Sequence, residues 1–267
     1  MTASTEERSL SHWSEARRDE MDSFYAVATQ DYRFIAQRFD WKSRLAGVTD
    51  VLDVACGSGK FPAALVRHAG LPVEPAIDLH LLDPSAFSIE ETARSLRAPF
   101  RPGSEYCVTV QDLAAEAGPF PAVWAVHGLY AVPRAELRAA LRRFVAAVAP
   151  GGFGFIAQAY RDAHYIAFYE GYLEGRDGEP YCAADDVLAE LKALDVEVEV
   201  VDIAYEGRID DRAVLEGYLQ RCLFDDDITL AEMEADPVLG AYLGRHRQGE
   251  VYVFPQRVAL IQFAGKS

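Results

Sequence analysis

The sequence lacks several features that would assign it to a common class of protein. It has no uninterrupted apolar run near the roughly 18 residues that indicate a membrane-spanning helix. Its four cysteines are widely spaced, with no CxxC pair and no metal-ligand spacing, so we expect reduced thiols and no bound metal. The N-terminus, MTASTEERSLSHWSEARRDE, has no apolar segment of the kind found in secretory signals, and we expect a cytoplasmic protein.

Positive charge is also scarce. The chain carries 26 Lys and Arg residues against 42 Asp and Glu residues, which gives a formal net charge of −16. Such a surface repels polyphosphates, so we expect neither nucleic acid nor an anionic membrane as a partner. It attracts cationic small molecules instead. We expect a protein that binds a small, cationic molecule and exists as a monomer or a homodimer.

The order of apolar segments indicates two parts. Residues 1–47 are predicted to be helical, with Trp13, Phe24 and Tyr25 among their aromatic residues. From residue 48 to 267, strand-length runs alternate with helical segments, which is typical of βαβ units on a parallel sheet. The predicted strands are VTDVLDVA, IDLHLLD, EYCVTVQD, AVWAVHG and GGFGFIAQA.

The last third of the chain follows a different pattern. A predicted helix near residues 183–194 leads into VEVEVVDIAYEG, which alternates like a strand with one buried face. An acidic, helix-like insertion at about 208–248 precedes a final strand, VYVFPQRVALIQF. We predict that these two late strands pair antiparallel at one side of the sheet. The fold class is therefore α/β, with helices on both faces of a mostly parallel sheet.

The stretch DVACGSG at residues 53–59 ends the first predicted strand in a loop of small residues. A loop of this kind between a strand and a helix is suited to a nucleotide, because the backbone approaches the ligand and the helix N-terminus supplies N–H donors. The dinucleotide fingerprint GxGxxG needs a third glycine, but KFP follows Gly57-Ser58-Gly59. An NAD enzyme is therefore disfavoured. Taken alone, the two glycines are equally consistent with a tight structural turn.

Three carboxylates stand at or near the ends of the first three predicted strands: Asp53, Asp83 and Asp112. Because the carboxyl ends of parallel strands meet at one edge of a sheet, all three can face one ligand. Asp83 suits a ribose diol, since an ionised carboxylate accepts two hydrogen bonds. Asp112 suits the exocyclic amine of adenine. Agreement between three strand ends argues against a purely structural turn.

This arrangement resembles the S-adenosylmethionine-dependent methyltransferases of the Rossmann-like type. DVACGSG matches their glycine motif, with Ala55 where glycine is most common, and PGG at 150–152 matches their turn into the fifth strand. The resemblance implies S-adenosylmethionine as cofactor, and a seven-stranded, mostly parallel sheet with an antiparallel last strand. The cofactor-binding residues that it implies are Asp53, Ala55, Cys56, Gly57, Gly59, Asp83, Pro84, Gln111, Asp112, Leu113, Val126 and His127.

The reactive end of such a ligand would face the ends of the fourth and fifth strands, where His127, Tyr130 and Tyr160 are the catalytic candidates. His127 has an unperturbed pKa near working pH and is a possible proton acceptor, or it only shapes the pocket by hydrogen bonding. The aromatic residues that follow are either a core stripe on one helix face or a set of rings that holds a cation. Tyr165, Phe168, Tyr169 and Tyr172 are spaced at i, i+3, i+4 and i+7.

A closer resemblance is to the histamine N-methyltransferase type of small-amine methyltransferase. The matching stretches are LLDPS, HGLYAV, LQRCLFD and EVYVFPQRVALIQF. That family has an N-terminal helical lid, which the resemblance assigns to residues 1–47, and a helical insertion before the last strand. It binds its amine between aromatic and polar groups. Its polar amide after the fourth strand falls on His127, which is a departure, and its acidic lid contact falls near Asp31. A nearby aromatic falls on Tyr130 and an amide before the final strand on Gln256; with Tyr165, Phe168 and Tyr169, Gln256 is a predicted substrate contact.

Three functions remain open from the sequence. The first is methyl transfer to a small, amine-containing molecule. The second is an S-adenosylmethionine cyclase, in which the amine of the bound molecule attacks its own γ-carbon and gives methylthioadenosine and azetidine-2-carboxylate. The third is a protein that binds the ligand without catalysis.

Overall fold

The computed structural model describes residues 5–12 and 30–266, with the side chains of 8–11 in the first of these ranges. The N-terminal part contains α1 (Thr5–His12), α2 (residues 30–38) and α3 (Trp41–Arg44). The Asp40 side chain caps α3 by accepting a hydrogen bond from the backbone N–H of Ser43, and Trp41 is fully buried. The predicted aromatic residues of this part include three, Trp13, Phe24 and Tyr25, that lie outside the described residues.

The sheet is built from seven long strands and one short one. Their order is β3-β2-β1-β4-β5-β8-β6, and the two-residue strand β7 pairs with β8. All pairs from β3 to β5 are parallel, whereas β8 is antiparallel to β5, β6 and β7. This confirms the predicted Rossmann-like fold class with an antiparallel last strand. The strands are β1 (Asp50–Val54), β2 (Ile77–Leu82), β3 (Phe100–Tyr106), β4 (Phe120–Val126), β5 (Val148–Ala159), β6 (Glu199–Ile209), β7 (Arg247–Gln248) and β8 (Val251–Ala264).

The two late strands pair as predicted, but β8 is inserted between β5 and β6, so β6 forms the edge of the sheet. Their ladder places Tyr205 of β6 directly opposite Gln256 of β8. Directly opposed residues in an antiparallel pair point to the same face. Both side chains therefore belong to one surface of the sheet.

The third strand differs from the prediction. EYCVTVQD was expected to be a strand, but β3 lies earlier, at Phe100–Tyr106, and Val110–Asp112 forms a 3-10 turn. The reason is that β3 is an edge strand with mostly exposed side chains, so the sequence FRPGSEY carries no strong apolar pattern. The CVTV segment that follows is more apolar and therefore resembles a strand more closely than β3 does.

Helices cover both faces of the sheet, and several begin with a capping side chain. Ser85 caps α5, Asp211 caps α9, and Thr229 with Glu232 forms a capping box at α10. α9, α10 and α11 lie within the predicted insertion between β6 and β8. The helices are α4 (Lys60–His68), α5 (Ala86–Ser95), α6 (Leu137–Ala146), α7 (His164–Tyr172), α8 (Ala184–Ala193), α9 (Arg212–Leu223), α10 (Leu230–Ala235) and α11 (Pro237–His246).

The buried residues form three clusters. One, around Trp41, Trp124 and Phe155, covers the sheet face that α2, α3 and α4 pack against. The second, which includes Phe144, lies under α6 and α8. The third, which includes Tyr218, joins α7 to the insertion. Among the described residues, no helix combines the length and the apolar character needed to cross a membrane.

Candidate functional site

A cavity opens at the carboxyl ends of β1, β2 and β4. This is the edge at which open α/β sheets bind their ligands. Four segments supply its sheet side, each at a strand end or in the loop that follows. They are residues 53–58, 82–85, 109–111 and 126–132.

The loop after β1 is shaped by backbone torsions that favour glycine. Gly57 has a φ of +54° and Gly59 a φ of +72°, both in the left-handed region. A Cβ on Gly59 would lie 2.3 Å from Ser95 Oγ, so this residue is also required for close packing against α5. A Cβ on Gly57 would meet nothing within 4 Å, which leaves open space beside its backbone. The loop therefore presents bare backbone to the cavity.

The carboxylate of Asp83 joins this loop to the end of β2. Its Oδ2 accepts a hydrogen bond from the backbone N–H of Gly57 at 3.1 Å, and its Oδ1 accepts one from Ser85 N–H at 2.9 Å. Burial raises the pKa of Asp83 to about 6, while the two backbone donors oppose this rise. The carboxylate is held in place with acceptor capacity left for a ligand.

Asp53 lies deeper, inside β1, with only 3% of its surface exposed. Its Oδ2 atom has no hydrogen-bond partner among the described residues. Burial raises the pKa of Asp53 well above its ordinary value, and the nearby negative charge of Asp83 adds to the rise. Two buried carboxylates beside open space are suited to a ligand that carries positive charge.

The end of β4 faces the glycine loop across a very close contact. A Cβ on Gly128 would lie 2.4 Å from the Cβ of Ala55, so only glycine fits opposite that residue. Ala55 and His127 both have positive φ, at +56° and +52°, although neither is a glycine. Backbone strain of this kind is characteristic of functional sites. The His127 side chain lies on the cavity wall.

His127 meets an acidic residue from the N-terminal part. Its Nε2 lies 3.4 Å from Asp31 Oδ2, and the two side chains are only 14% and 10% exposed. Burial lowers the pKa of His127, and the negative charge of Asp31 opposes this shift. Burial raises the pKa of Asp31, and this shift is opposed by His127 and by a hydrogen bond from the Tyr205 hydroxyl. Burial thus disfavours a lone charge on either residue.

Beyond His127 the cavity continues into a space that we call the inner chamber. It is lined by aromatic rings together with a few polar groups. Within it, the Gln256 side-chain amide donates a hydrogen bond to the Tyr218 hydroxyl at 3.2 Å. The residues that line the inner chamber are Ser9, Leu10, Asp31, Tyr32, His127, Tyr130, Tyr165, Tyr181, Tyr205, Tyr218, Arg221, Cys222, Phe224 and Gln256.

Most of the residues predicted to bind cofactor or substrate line this cavity. Two of the three predicted catalytic candidates, His127 and Tyr130, also line it. Those on the cavity wall are Asp53, Ala55, Cys56, Gly57, Asp83, Pro84, Gln111, Val126, His127, Tyr130, Tyr165 and Gln256. Those that do not line it are Gly59, Asp112, Leu113, Tyr160, Phe168 and Tyr169.

Two of the residues outside the cavity, Tyr160 and Asp112, make contacts elsewhere on the protein. The Tyr160 hydroxyl donates to Asp202 at 2.7 Å, and the Arg257 guanidinium lies over its ring at 3.9 Å, so this tyrosine belongs to an exposed surface cluster. Asp112 is exposed in the 3-10 turn and accepts a hydrogen bond from the Thr109 hydroxyl at 2.7 Å. The turn places Gln111 in the cavity instead.

The aromatic helix α7 is mostly core. Phe168 is fully buried against His164, and Tyr169 stacks on Tyr181 with ring centroids 3.9 Å apart. The Tyr172 hydroxyl donates to Asp225 at 2.6 Å. Of the five aromatic residues between 160 and 172, Tyr165 alone lines the cavity. The core-stripe interpretation therefore describes Phe168 and Tyr169, whereas Tyr172 is only partly buried.

Several cavity residues were missed by the sequence reasoning. Tyr205 could have been found from the pairing of the late strands, because it faces Gln256. Tyr218, Arg221 and Cys222 share one face of α9 at i, i+3 and i+4, within the YLQRC stretch. Leu10 comes from α1, and no local pattern marks it.

The part of the chain whose strand ends line the cavity also matches a known protein family. Residues 51–152, from β1 into β5, match a family model described as a methyltransferase domain, and this is less than half of the chain. The chain matches no curated protein significantly in sequence.

Solved structures share the fold at low sequence identity. A Bacillus halodurans protein proposed to be a methyltransferase has a TM-score of 0.56 at 13% identity, over 83% of this chain and 94% of that chain. Magnesium protoporphyrin IX methyltransferase from Synechocystis, solved with S-adenosylhomocysteine, has a TM-score of 0.54 at 10% identity, over 96% and 99% of the two chains. A plantazolicin methyltransferase, also solved with S-adenosylhomocysteine, has a TM-score of 0.52 at 12% identity, over 95% and 94%.

The domain match and these neighbours agree with the resemblance to S-adenosylmethionine-dependent methyltransferases, and with S-adenosylmethionine as cofactor. The cavity residues fit such a group. The open space beside Gly57 admits a ligand against bare backbone, and the orphaned oxygen of Asp53 is buried beside that space. The closer resemblance, to the histamine N-methyltransferase type, remains a prediction.

Proposed function

We propose that this protein is a methyltransferase that transfers the methyl group of S-adenosylmethionine to a small, amine-containing acceptor. The observation that carries the proposal is the continuity of the cavity. One half lies on the glycine loop and the ends of β1 and β2, and the other half is the inner chamber beyond His127. Two adjoining spaces of different chemistry suit a cofactor and a second molecule.

The cofactor half provides a contact for each part of an adenosyl group. The Asp83 carboxylate would accept hydrogen bonds from the ribose diol, as expected for an acidic residue at the end of the second strand. Gln111 supplies an amide on the adenine side in place of the predicted Asp112. Asp53 and the acidic surroundings favour the positive charges of the methionine part. When bound, S-adenosylmethionine supplies an electrophilic methyl group on a sulfonium sulfur.

The inner chamber is suited to a small cation. Its rings present π faces that attract cations, with Tyr130 lying edge-on to Tyr181 at a centroid distance of 5.3 Å. Asp31 adds a buried carboxylate, whose Oδ1 has no hydrogen-bond partner among the described residues. The chain's net charge of −16 draws cations toward it. Holding the acceptor against the cofactor in a space screened from water lowers the barrier by orientation.

The N-terminal part closes one side of this chamber. The Arg8 guanidinium donates to the carbonyl oxygens of Leu223 and Phe224 at the end of α9, and to the Tyr169 hydroxyl. Ser9 Oγ lies 3.4 Å from the Tyr130 hydroxyl oxygen. These contacts are consistent with the lid role that was predicted for residues 1–47.

The test is to incubate the purified protein with S-adenosylmethionine and follow the products by mass spectrometry against an enzyme-free blank. In one arm no acceptor is added, and in the other a panel of small primary and secondary amines is supplied. S-Adenosylhomocysteine together with an amine heavier by one methylene unit, in the second arm only, is the expected result.

Two other outcomes would overturn the proposal. Methylthioadenosine with an equal amount of a new cyclic amino acid, formed without acceptor, would establish the intramolecular cyclase. Cofactor that binds by calorimetry but stays intact with every amine would favour a binding protein without catalysis. Each outcome has a distinct mass signature.

A further inference from the structure

The inner chamber contains one closely apposed acid–base pair, formed by residues from two separate parts of the chain. Asp31 lies on α2, and His127 lies immediately after β4. Their Oδ2 and Nε2 atoms are 3.4 Å apart. Neither ring nitrogen of His127 has a completed hydrogen bond among the described residues. Catalytic hydrogen bonds are often long in the absence of ligand.

In the part of the chain that the structure describes, the inner-chamber residues around this pair are uncharged at neutral pH, apart from the buried Arg221. Tyr32 of α2 lies edge-on to the His127 ring, with centroids 6.2 Å apart, and the Tyr205 hydroxyl of β6 hydrogen-bonds to Asp31. Burial raises the pKa of Tyr165 of α7, and the negative charge of Asp31 adds to this rise. The remaining ionisable residues of the inner chamber are Tyr130, Tyr181, Tyr218, Cys222 and Arg221.

The charge of this pair depends on how many protons it holds. With one proton it carries a net charge of −1 as carboxylate and neutral imidazole, and with a second it becomes a neutral carboxylate–imidazolium pair. Burial disfavours the isolated imidazolium of His127, but the adjacent carboxylate offsets this cost. A pair of this kind attracts a cation and can then take up one proton.

We propose that Asp31 and His127 together receive the proton that an ammonium acceptor loses on becoming a nucleophile. The inference rests on the proposed function and specifies an acceptor nitrogen that still carries a proton. The N–H bond of the ammonium breaks, its electron pair stays on nitrogen, and an imidazole nitrogen lone pair of His127 forms the new N–H bond. No other reactant is needed.

The two residues have different roles in this step. His127 takes the proton, and 14% of its side-chain surface is open. Asp31 acts through His127 by stabilising the imidazolium, so it is a positioning residue. Because Asp31 comes from α2, the pair is complete only when that helix lies against the sheet.

The first experiment measures the titration of His127 by NMR with ¹³C-labelled histidine, in the presence of S-adenosylhomocysteine. Asp31→Asn should lower the pKa of His127 by about one unit or more, since a neighbouring opposite charge typically shifts a pKa by ~1–3 units. The matched control is Asp50→Asn, which removes the carboxylate 3.2 Å from His80 Nε2 at the opposite end of the sheet. That variant should leave the His127 signal unchanged. An unchanged pKa of His127 in Asp31→Asn would overturn the pairing.

The second experiment follows methyl transfer from S-adenosylmethionine to 2-phenylethylamine as a function of pH, in the unaltered protein and in His127→Gln. The N,N,N-trimethyl analogue, which has no proton to give, measures cation binding in both proteins beside S-adenosylhomocysteine. In the unaltered protein the rate should fall as pH drops through the pKa of His127 found in the first experiment, because a protonated imidazole accepts no proton. His127→Gln should bind the analogue but methylate the amine more slowly and without that step in its pH profile.

The outcomes separate the inference from the proposed function. A His127→Gln variant that methylates 2-phenylethylamine at the parent rate, with the same pH profile, would overturn the proton-accepting role and leave amine methylation intact. Binding of S-adenosylhomocysteine without binding of either cation would overturn both the amine class and the present inference. Failure to bind S-adenosylhomocysteine would overturn the proposed function at its cofactor half, whatever the His127 titration gives.

Discussion

Asp83 Oδ2 accepts a hydrogen bond from the backbone N–H of Gly57 at 3.1 Å, and this bond ties the end of β2 to the loop after β1. The same carboxylate accepts a second bond from Ser85 at the start of α5. One side chain therefore fixes the relative position of two strand ends and a helix N-terminus. Its orientation toward the cavity follows from backbone contacts alone.

Replacing this carboxylate should remove much of the cofactor affinity. Asp83→Ala is expected to weaken binding of S-adenosylhomocysteine by about tenfold to a hundredfold, since hydrogen bonds to charged groups contribute roughly 1.5–3 kcal/mol. Isothermal titration calorimetry measures the change. The control is Asp112→Ala, an exposed carboxylate of the neighbouring turn that lies outside the cavity. If both variants bind alike, the ribose contact is assigned to the wrong residue.

The raised pKa of Asp83 predicts a pH dependence of stability. Folding raises this pKa from 3.8 to about 6 through burial, so the folded protein keeps a proton that the unfolded chain has already lost. The contribution of Asp83 to the free energy of unfolding should therefore fall as pH rises from about 4 to 6, by roughly 3 kcal/mol in total.

Urea denaturation at intervals between pH 4 and 7 tests this dependence. Asp83→Asn cannot titrate, so its stability should decline less over that window than that of the parent protein. Parallel curves for the two proteins would show that Asp83 ionises normally in the fold.

The sheet and the glycine loop were predictable because they rest on local patterns. Strands with two buried faces read as continuous apolar runs, and the DVACGSG loop requires small residues where left-handed torsions occur. β3 was misplaced because an exposed edge strand has no such run. That error also put Asp112 at a strand end and so into the predicted site.

The inner chamber was only partly predictable because its residues come together through tertiary contacts. Asp31 Oδ2 and His127 Nε2 are 3.4 Å apart, yet the two residues belong to segments distant in sequence. Helical spacing identified one face of α7 correctly but gave no sign that only Tyr165 reaches the cavity while Phe168 and Tyr169 lie in the core. Spacing fixes a face of a helix, and packing decides what that face meets.

The contact between Gly128 and Ala55 predicts a rescue. Gly128 has an ordinary φ of −107°, so alanine is unstrained there and any cost of Gly128→Ala comes from the Cβ that would lie 2.4 Å from the Ala55 Cβ. The variant should lose stability and affinity for S-adenosylhomocysteine. Ala55→Gly should restore both, with a coupling energy of about 1–3 kcal/mol. Additive effects in this double-mutant cycle would contradict the contact.

Two glycines that flank α4, one before its first residue and one after its C-cap, distinguish the cost of backbone strain from the cost of a steric clash. Gly59 and Gly70 have similar φ values, +72° and +64°, but a Cβ on Gly59 would lie 2.3 Å from Ser95 Oγ whereas one on Gly70 meets nothing within 4 Å. Gly70→Ala should cost about 1–2 kcal/mol for the left-handed torsion alone. Gly59→Ala should cost more in denaturant unfolding. The excess should shrink when Ser95→Ala is added, and equal costs for both glycines would refute the packing role.

Two buried tyrosines of the inner chamber should respond in opposite ways to loss of their hydroxyl groups. The Tyr181 hydroxyl donates to the carbonyl oxygen of Cys222 at 2.9 Å, whereas the Tyr165 hydroxyl has no hydrogen-bond partner among the described residues. Tyr181→Phe should therefore lower the free energy of unfolding by about 1–2 kcal/mol, because it leaves a buried acceptor unsatisfied. Tyr165→Phe should leave the stability of the free protein unchanged or raise it.

A buried hydroxyl that contributes nothing to the free fold has a clear use if a ligand completes its hydrogen bond. Tyr165→Phe should then weaken binding of 2-phenylethylamine in the presence of S-adenosylhomocysteine, by about threefold to tenfold for one neutral hydrogen bond. Tyr160→Phe is the control, since its hydroxyl bonds to Asp202 outside the cavity. Thermal unfolding and calorimetry on the same samples separate the two effects. A Tyr165→Phe protein that is less stable but binds the amine normally would mean that the hydroxyl serves the fold and not the ligand.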